Sequence, residues 1–351
     1  MPEAKFKPVI LVCGKTGIGK TSLIQAVTGR ETVPDSAVGA GAPVTRGFTA
    51  YETDAAIYID AEGMEPGKQT VEEYRRFLAS EMVDRLAAGR AEDVVTNVWY
   101  CIDGSGARVT PADRELVTSF GDKVVLVVTK SEIMRKSQFE AMGQEVGSLV
   151  PSERVLMVSS AKELGLDRLI DVTKQMVTAS TAASDLAAFE AAWNGYYASR
   201  QTRWREMCDS EADSYIRWGA GRSFAIALPC ALPLSDMIPL SINEAYMIMR
   251  IGSVYGETAG KNIIAMLSGI AAGSFAGKFI ATLMPPGLKS VVAASVTYGL
   301  GKAAKAYFRS GKKLSVDQLR DEFKRAKNAS LNIGRWMRWW SFSDDKPNLT
   351  N

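Results

Sequence analysis

The 351-residue chain contains no histidine. That excludes Ser-His-Asp catalysis, an imidazole general base and every zinc site that needs a His ligand. Its cysteines, Cys13, Cys101, Cys208 and Cys230, lie far apart with no C-x-x-C spacing. Two of them fall in apolar strand-like runs, so they read as core residues in a reducing compartment rather than a disulfide framework. A net charge of +3 is too small to imply a polyanionic partner for the whole chain. Met1-Pro2-Glu3-Ala4-Lys5 carries no apolar signal core, which gives the expectation of a cytoplasmic protein. What is present is a globular composition, 46% hydrophobic and 23% charged, in a chain long enough for two domains.

The most informative stretch is Gly14-Lys15-Thr16-Gly17-Ile18-Gly19-Lys20-Thr21, which fits G-x-x-x-x-G-K-[ST]. Pro8 to Cys13 before it is a continuous apolar run suited to a buried strand, and Ser22 to Val27 after it has a helical pattern. Strand, glycine-rich turn and helix in that order make a phosphate-binding loop. Glycines let consecutive N–H groups face a polyphosphate, and the helix N-terminus adds partial positive charge. Lys20 is then expected along the β- and γ-phosphates, and the Thr21 hydroxyl on Mg²⁺.

Beyond a flexible Gly39 to Gly47 segment, two strands follow in quick succession, Phe48 to Tyr51 and Ala55 to Asp60. The second ends in Asp60-Ala61-Glu62-Gly63. There an acid can hold Mg²⁺ through water, and the glycine N–H can report a γ-phosphate. Further strands are expected at Val94 to Ile102, Lys123 to Val128 and Arg154 to Val158, separated by helical patterns. Such alternation predicts an α/β sheet with helices on both faces.

Four motifs at strand ends, together with Pro43-Val44-Thr45 in the loop between the first two of them, carry a resemblance: the phosphate loop, the D-x-x-G, Thr129-Lys130-Ser131-Glu132 and Ser159-Ser160-Ala161-Lys162, in this order. Over about residues 8–178 the chain resembles an Era-like P-loop GTPase of the translation-factor class. The resemblance implies GTP/GDP and Mg²⁺ as ligands. The nucleotide would lie on Gly14, Lys15, Thr16, Gly17, Ile18, Gly19, Lys20, Thr21 and Ser22. It further implies Thr129 and Lys130 packed at the nucleotide, Glu132 reading the guanine edge, and Ser160, Ala161 and Lys162 closing over the base. Thr45 would join Thr21 and Asp60 on the metal, while Lys20, Thr45 and Gly63 would act on the γ-phosphate.

Three positions depart from that pattern. Glu132 stands where the family has Asp, one methylene shorter. Met64 follows the D-x-x-G where Ras-like enzymes carry a water-orienting glutamine, and Gly17 occupies the position where potassium-using Era-like members have asparagine. Slow intrinsic hydrolysis is therefore expected. A group from elsewhere or a nucleotide-dependent homodimer would raise the rate, with Lys15, Arg46, Glu62 and Glu65 as candidates.

The expected organisation is a GTPase domain over residues 1–180, a helical domain over 181–342 and a disordered tail over 343–351. Aromatic and large apolar residues recur every three or four positions from Leu186 to Trp218, a long helix with a packing seam for the rest of its domain. Asp236 is expected as a helix cap before a face of Ile238, Ile242, Ala245 and Met249. Residues 220–310 resemble an uncharacterised bacterial helical domain, described as membrane-associated, that follows Era-like GTPase domains. The uncharged run Ile263 to Gly277 spans 15 residues, short of the roughly 20 needed to cross a bilayer. With Val291 to Gly301 it reads either as a shallow membrane hairpin or as a packed soluble one. From Lys289 to Arg338 twelve basic residues face three acidic ones, a local net charge of +9, ending in the Trp- and Arg-rich stretch Arg335 to Phe342. That pattern suits a bilayer interface or a solvated helix. The functional expectation is a GTP-hydrolysing switch whose helical domain touches the cytoplasmic face of the inner membrane or a protein partner. An RNA- or ribosome-associated GTPase, with nucleic acid less favoured, and a self-assembling GTPase resembling dynamin-like or interferon-inducible proteins are the alternatives.

Overall fold

A computed structural model describes residues 6–38, 47–65, 67–87, 95–106, 108–228, 237–272 and 286–331. Arg46, Cys230, Asp236, the Trp/Arg stretch at 335–342 and the 343–351 tail lie outside the described residues.

The apolar run before the phosphate loop becomes strand β1 (Val9–Gly14), buried along its whole length. A strand apolar on both faces needs cover above and below, which selects a parallel sheet layered with helices. β1 lies parallel between β3 (Ile57–Ala61) and β4 (Val95–Asp103). β5 (Val124–Thr129) pairs parallel with β4, and β6 (Val155–Met157) with β5. β2 (Phe48–Glu52) runs antiparallel to β3 at the edge. The resulting order is β2-β3-β1-β4-β5-β6. The chain turns to opposite sides of β1 on passing to β3 and to β4, so a crevice opens at the carboxyl ends of these strands, where α/β sheets bind ligands.

Among the described residues the helices α1 (Lys20–Thr28), α2 (Val71–Ala87), α3 (Pro111–Phe120) and α4 (Lys136–Val146) connect strands, and α5 (Leu166–Ser180) follows β6. The start of α3 is dictated locally. Thr110 caps it, Pro111 takes the first turn where no N–H is needed, and the Asp113 carboxylate accepts from the Thr110 amide.

The chain forms two compact units, Met1–Glu206 and Met207–Asn351. Helix α6 (Ala183–Ala227) runs 45 residues without a break and contributes to both. The sequence reading gave its aromatic seam to the helical domain. In the structure Phe189, Trp193, Tyr197 and Trp204 sit in the same core as Tyr58 of β3, Trp99 of β4 and Leu169 of α5. The Trp193 and Tyr197 rings lie 4.8 Å apart, and the Tyr197 and Tyr58 hydroxyls share a hydrogen bond. Polar contacts flank the seam: Gln201 donates to Asp171 at 2.7 Å, and Arg205 pairs with Asp167 at 2.8 Å. The first half of α6 thus covers a face of the sheet that the α/β elements leave open. Seam and sheet cannot be told apart as separate cores from periodicity alone, because both are simply apolar.

In the second unit the rest of α6 joins α7 (Met237–Val254), α8 (Lys261–Ala272), α9 (Pro286–Arg309) and α10 (Val316–Ser330). The expected short helix at 291–301 is part of the 24-residue α9, whose Val291, Ala294, Val296, Leu300, Ala303, Ala304 and Phe308 are all buried. This half of the apolar pair is therefore packed within the unit. Gly299 shows why small residues recur there: a Cβ would lie 2.8 Å from the Phe323 carbonyl oxygen of α10. Among the described residues no helix is long and apolar enough to cross a membrane.

The expected apolar face of α7 is buried at Met249 but not along the first two turns. Ile238 is 74% exposed and Ile242 is exposed too, whereas Asn243 and Glu244 are buried. Hydrogen bonds make that arrangement tolerable. Asn243 Nδ2 donates to the Gly219 carbonyl at 2.8 Å and to Ser223 Oγ at 2.9 Å, and Thr297 donates to Glu244 at 3.2 Å. Part of the basic segment is also neutralised internally. Lys302, Lys305 and Arg309 pair with Asp209 and Asp213 of α6, and Lys312 pairs with Glu257.

Because Trp193 is fully enclosed in the first unit, Trp193→Ala is expected to cost about 3–5 kcal/mol. A chain ending at residue 180 is expected to melt well below one ending at 206 in thermal unfolding followed by circular dichroism. Equal melting of the two truncations would show that the seam is not part of the first unit's core.

Candidate nucleotide-binding site

The phosphate loop leaves β1 at Gly14 and enters α1 at Lys20. Gly19, the residue at the helix boundary, has φ 93°, a left-handed conformation that a side chain would strain. The loop then turns tightly enough to aim its amides inward. Lys20 is 7% exposed and folds back over the loop, donating to the Lys15 carbonyl at 3.0 Å and approaching that of Gly14 at 3.4 Å. Burial lowers the Lys20 pKa, partly offset by the Asp60 carboxylate. An ammonium in that position gains most from an anionic ligand, because it has already lost its water.

Thr21, first turn of α1, donates its hydroxyl to Asp60 Oδ2 at 2.6 Å. Two hard oxygen donors, from the loop helix and the end of β3, are thus brought together as Mg²⁺ binding requires. Thr45 lies outside the described residues.

The D-x-x-G segment is joined directly to the loop. Met64 N donates to the Gly14 carbonyl and Thr16 N to the Met64 carbonyl, both at 3.1 Å. The Thr16 hydroxyl donates to the Gly63 carbonyl at 3.0 Å. Gly63 is obligatory here, since a Cβ would lie 2.5 Å from the Thr16 backbone. Met64 is only 5% exposed, so the residue at the water-orienting position is buried as well as chemically inert.

The base side is assembled from the ends of β5 and β6. Thr129 Oγ1 donates to the Ile18 carbonyl at 2.7 Å and so ties the end of β5 to the phosphate loop. Lys130, with φ 55°, extends over the loop to the Gly17 carbonyl at 3.0 Å and to Asp103 Oδ2 at 3.1 Å. Glu132 sits in the single turn Ser131–Ile133 that follows. Ser131 N donates to the Val158 carbonyl at 3.1 Å, which holds this turn beside Ser160, Ala161 and Lys162. The latter three occupy a turn closed by reciprocal bonds between the Ser159 and Leu164 backbones at 3.0 Å, with Lys162 N donating to Ser159 Oγ at 3.1 Å. Ser22 follows Thr21 in α1. The structure therefore gathers every described site residue at one edge of the sheet.

Four residues were not foreseen. Asp103 lies at the end of β4. Burial pushes its carboxyl up, but hydrogen bonds from Ser105 and Lys130 outweigh this and hold it below the usual range. The Tyr74 hydroxyl donates to the Glu62 carbonyl at 2.9 Å and lies against Gly14, bracing the two phosphate-facing segments from behind. Asp113 and Thr110 receive the Lys15 ammonium at 2.7 and 3.0 Å. Asp113 is lowered despite burial, which raises it, because Lys15, Thr110 and Tyr100 all donate to it. The D-G step after β4 was the available signal for Asp103. Asp113 could be read as a capping residue but not as a partner of the loop.

These contacts also place the candidates for an added catalytic group. Lys15 faces Asp113, Glu62 Oε2 accepts from Gly47 N at 2.8 Å, and Glu65 pairs with Lys68.

No protein-family model matches the chain, and no curated sequence is found similar to it. Among solved structures it is similar to a probable GTP-binding protein engB, at 16% identity over 48% of this chain and 98% of that one, with a TM-score of 0.34. It is similar to a septin GTPase domain from Chlamydomonas reinhardtii at 21% identity over 43% of this chain and 62% of that one, TM-score 0.30. For Toc33 from Arabidopsis thaliana, in complex with Mg²⁺ and GMPPNP, the identity is 14% over 54% of this chain and 68% of that one, TM-score 0.30. The strand order, the phosphate loop and the following helices make the chain an α/β P-loop GTPase fold with an all-α unit after it.

Proposed function

We propose that the chain binds GTP and GDP with Mg²⁺ and acts as a slowly hydrolysing switch of the Era-like class. The observation that carries this reading is the direct junction of two loops: Thr21 meets Asp60 at 2.6 Å while Met64 is hydrogen-bonded on both sides to the phosphate loop. Lys20 and the loop amides would hold the β- and γ-phosphates. Thr21, Asp60 and Thr45 would hold Mg²⁺, which supplies charge neutralisation when bound. Glu132 would accept the guanine N–H groups, and Lys130 would lie on the base beneath Ser160, Ala161 and Lys162.

A γ-phosphate drawing on the loop amides would compete with the Met64 carbonyl for the Thr16 amide. The end of β3 is thus the element whose arrangement would differ between GTP and GDP. Hydrolysis would be slow because Met64 can neither orient water nor move outward easily. Acceleration would come from a partner or a second copy of this chain.

For the helical unit we propose contact with the cytoplasmic membrane face or a protein partner. Support comes from exposed apolar side chains at helix ends: Leu228 just after α6, Ile238 and Ile242 in α7, and Leu288 in the first turn of α9. The RNA reading is weakened because Lys302, Lys305, Arg309 and Lys312 already face carboxylates. Flotation with liposomes and co-sedimentation with ribosomes, each with GTP analogue and GDP, separates the two. Binding to ribosomes without flotation would reverse the preference.

Lys20→Ala is expected to reduce GTP affinity by at least a hundredfold in isothermal titration, and a loss under threefold would contradict the site. Glu132→Ala is expected to cut the preference for GTP over ATP by roughly 10- to 100-fold, the worth of charge-assisted hydrogen bonds. Met64→Gln is expected to leave turnover within about threefold, since the position is enclosed; a tenfold gain in phosphate release would show that the side chain reaches the γ-phosphate.

A further inference from the structure

A cavity of about 590 Å³ opens between the outer side of α1, the Ser160–Glu163 turn and the first half of α6. Its size suits a small-molecule ligand. Ser22, Ser160 and Ala161, all on its wall, belong to the proposed nucleotide site, so the cavity continues that site at its nucleoside end. Among the described residues no aromatic side chain lines it, and the planar groups on its wall are the guanidiniums of Arg30, Arg200 and Arg203.

The three arginines are held differently. Arg30 pairs with Asp35. Arg200 is anchored several times over: it donates to the Thr28 carbonyl at 3.1 Å, pairs with Glu31 at 2.7 Å and lies over the Tyr196 ring at 4.3 Å. It fastens α6 to the end of α1. Among the described residues Arg203 has a single ion-pair partner, Glu163, at the end of the Ser160–Ala161–Lys162 turn, and its side chain is 58% exposed. A half-exposed guanidinium with one carboxylate beside it is oriented yet free to swing. Glu163 holds it on the lip of the turn expected to close over the base.

Resting on the nucleotide reading above, we propose that this cavity receives the guanosine moiety and that Arg203 of α6 forms its outer wall, laying its guanidinium flat against the base. Arginine suits this task because its plane stacks on aromatic faces while its charge stays partly hydrated. A helix that follows the α/β fold in sequence thereby becomes part of the nucleotide site. Loss or gain of nucleotide would then be felt directly by α6.

Full-length protein titrated with GTP, GDP and GMP tests this. Arg203→Ala is expected to weaken all three by a similar factor, about 10- to 30-fold, because base stacking does not depend on phosphate number. Arg203→Lys should lose nearly as much, and Arg203→Trp should retain affinity within about threefold. Glu163→Gln, which removes the ion pair that orients the guanidinium, should lose less than Arg203→Ala and by the same factor for all three nucleotides. The inference is overturned if wild-type protein binds GTP and Arg203→Ala stays within twofold. It is equally overturned if lysine rescues and the loss grows from GMP to GTP, or if Glu163→Gln loses as much as Arg203→Ala. A wild-type chain that binds none of the three instead removes the nucleotide reading itself.

Discussion

Everything proposed for this chain depends on one constraint, the close backbone approach of the phosphate loop and the end of β3. Parallel pairing of β1 with β3 runs on into a bridge between Lys15 and Met64, and the absent Cβ at Gly63 lets Met64 bond to both flanks of Lys15, the Gly14 carbonyl and the Thr16 amide. Tyr74 closes the junction from behind. A γ-phosphate that draws on the Thr16 amide would compete for it with the Met64 carbonyl. The proposed switch rests on that competition.

The second organising feature is α6. Its aromatic stripe makes it part of the first unit's core, and its polar side chains reach the end of α1 and the turn after β6. The same 45-residue helix supplies residues to both units.

Much of this was legible in the sequence, for identifiable reasons. Buried parallel strands leave unbroken apolar runs such as Val9 to Cys13, and ligand-facing loops leave glycines and isolated acids at fixed offsets. Gly14 to Thr21, Asp60 and Gly63, and Thr129 to Glu132 were therefore readable one by one. Contacts between residues far apart in the chain were not. Lys15 reaching Asp113, Tyr74 reaching Glu62 and Trp193 entering the sheet's core each join ordinary residues whose meaning comes only from topology. The α7 face went astray because hydrogen-bonding partners on α6 and α9 reward burying Asn243 and Glu244 over Ile238, a choice that hydropathy spacing does not encode.

The most direct test is hydrogen exchange at the Thr16 and Met64 amides in full-length protein with Mg²⁺ and either GDP or a non-hydrolysable GTP analogue. The account predicts that these two amides change protection between the two ligands while the amides of β5 do not. Identical protection at Thr16 and Met64 in both states, with both nucleotides shown to be bound, would contradict it.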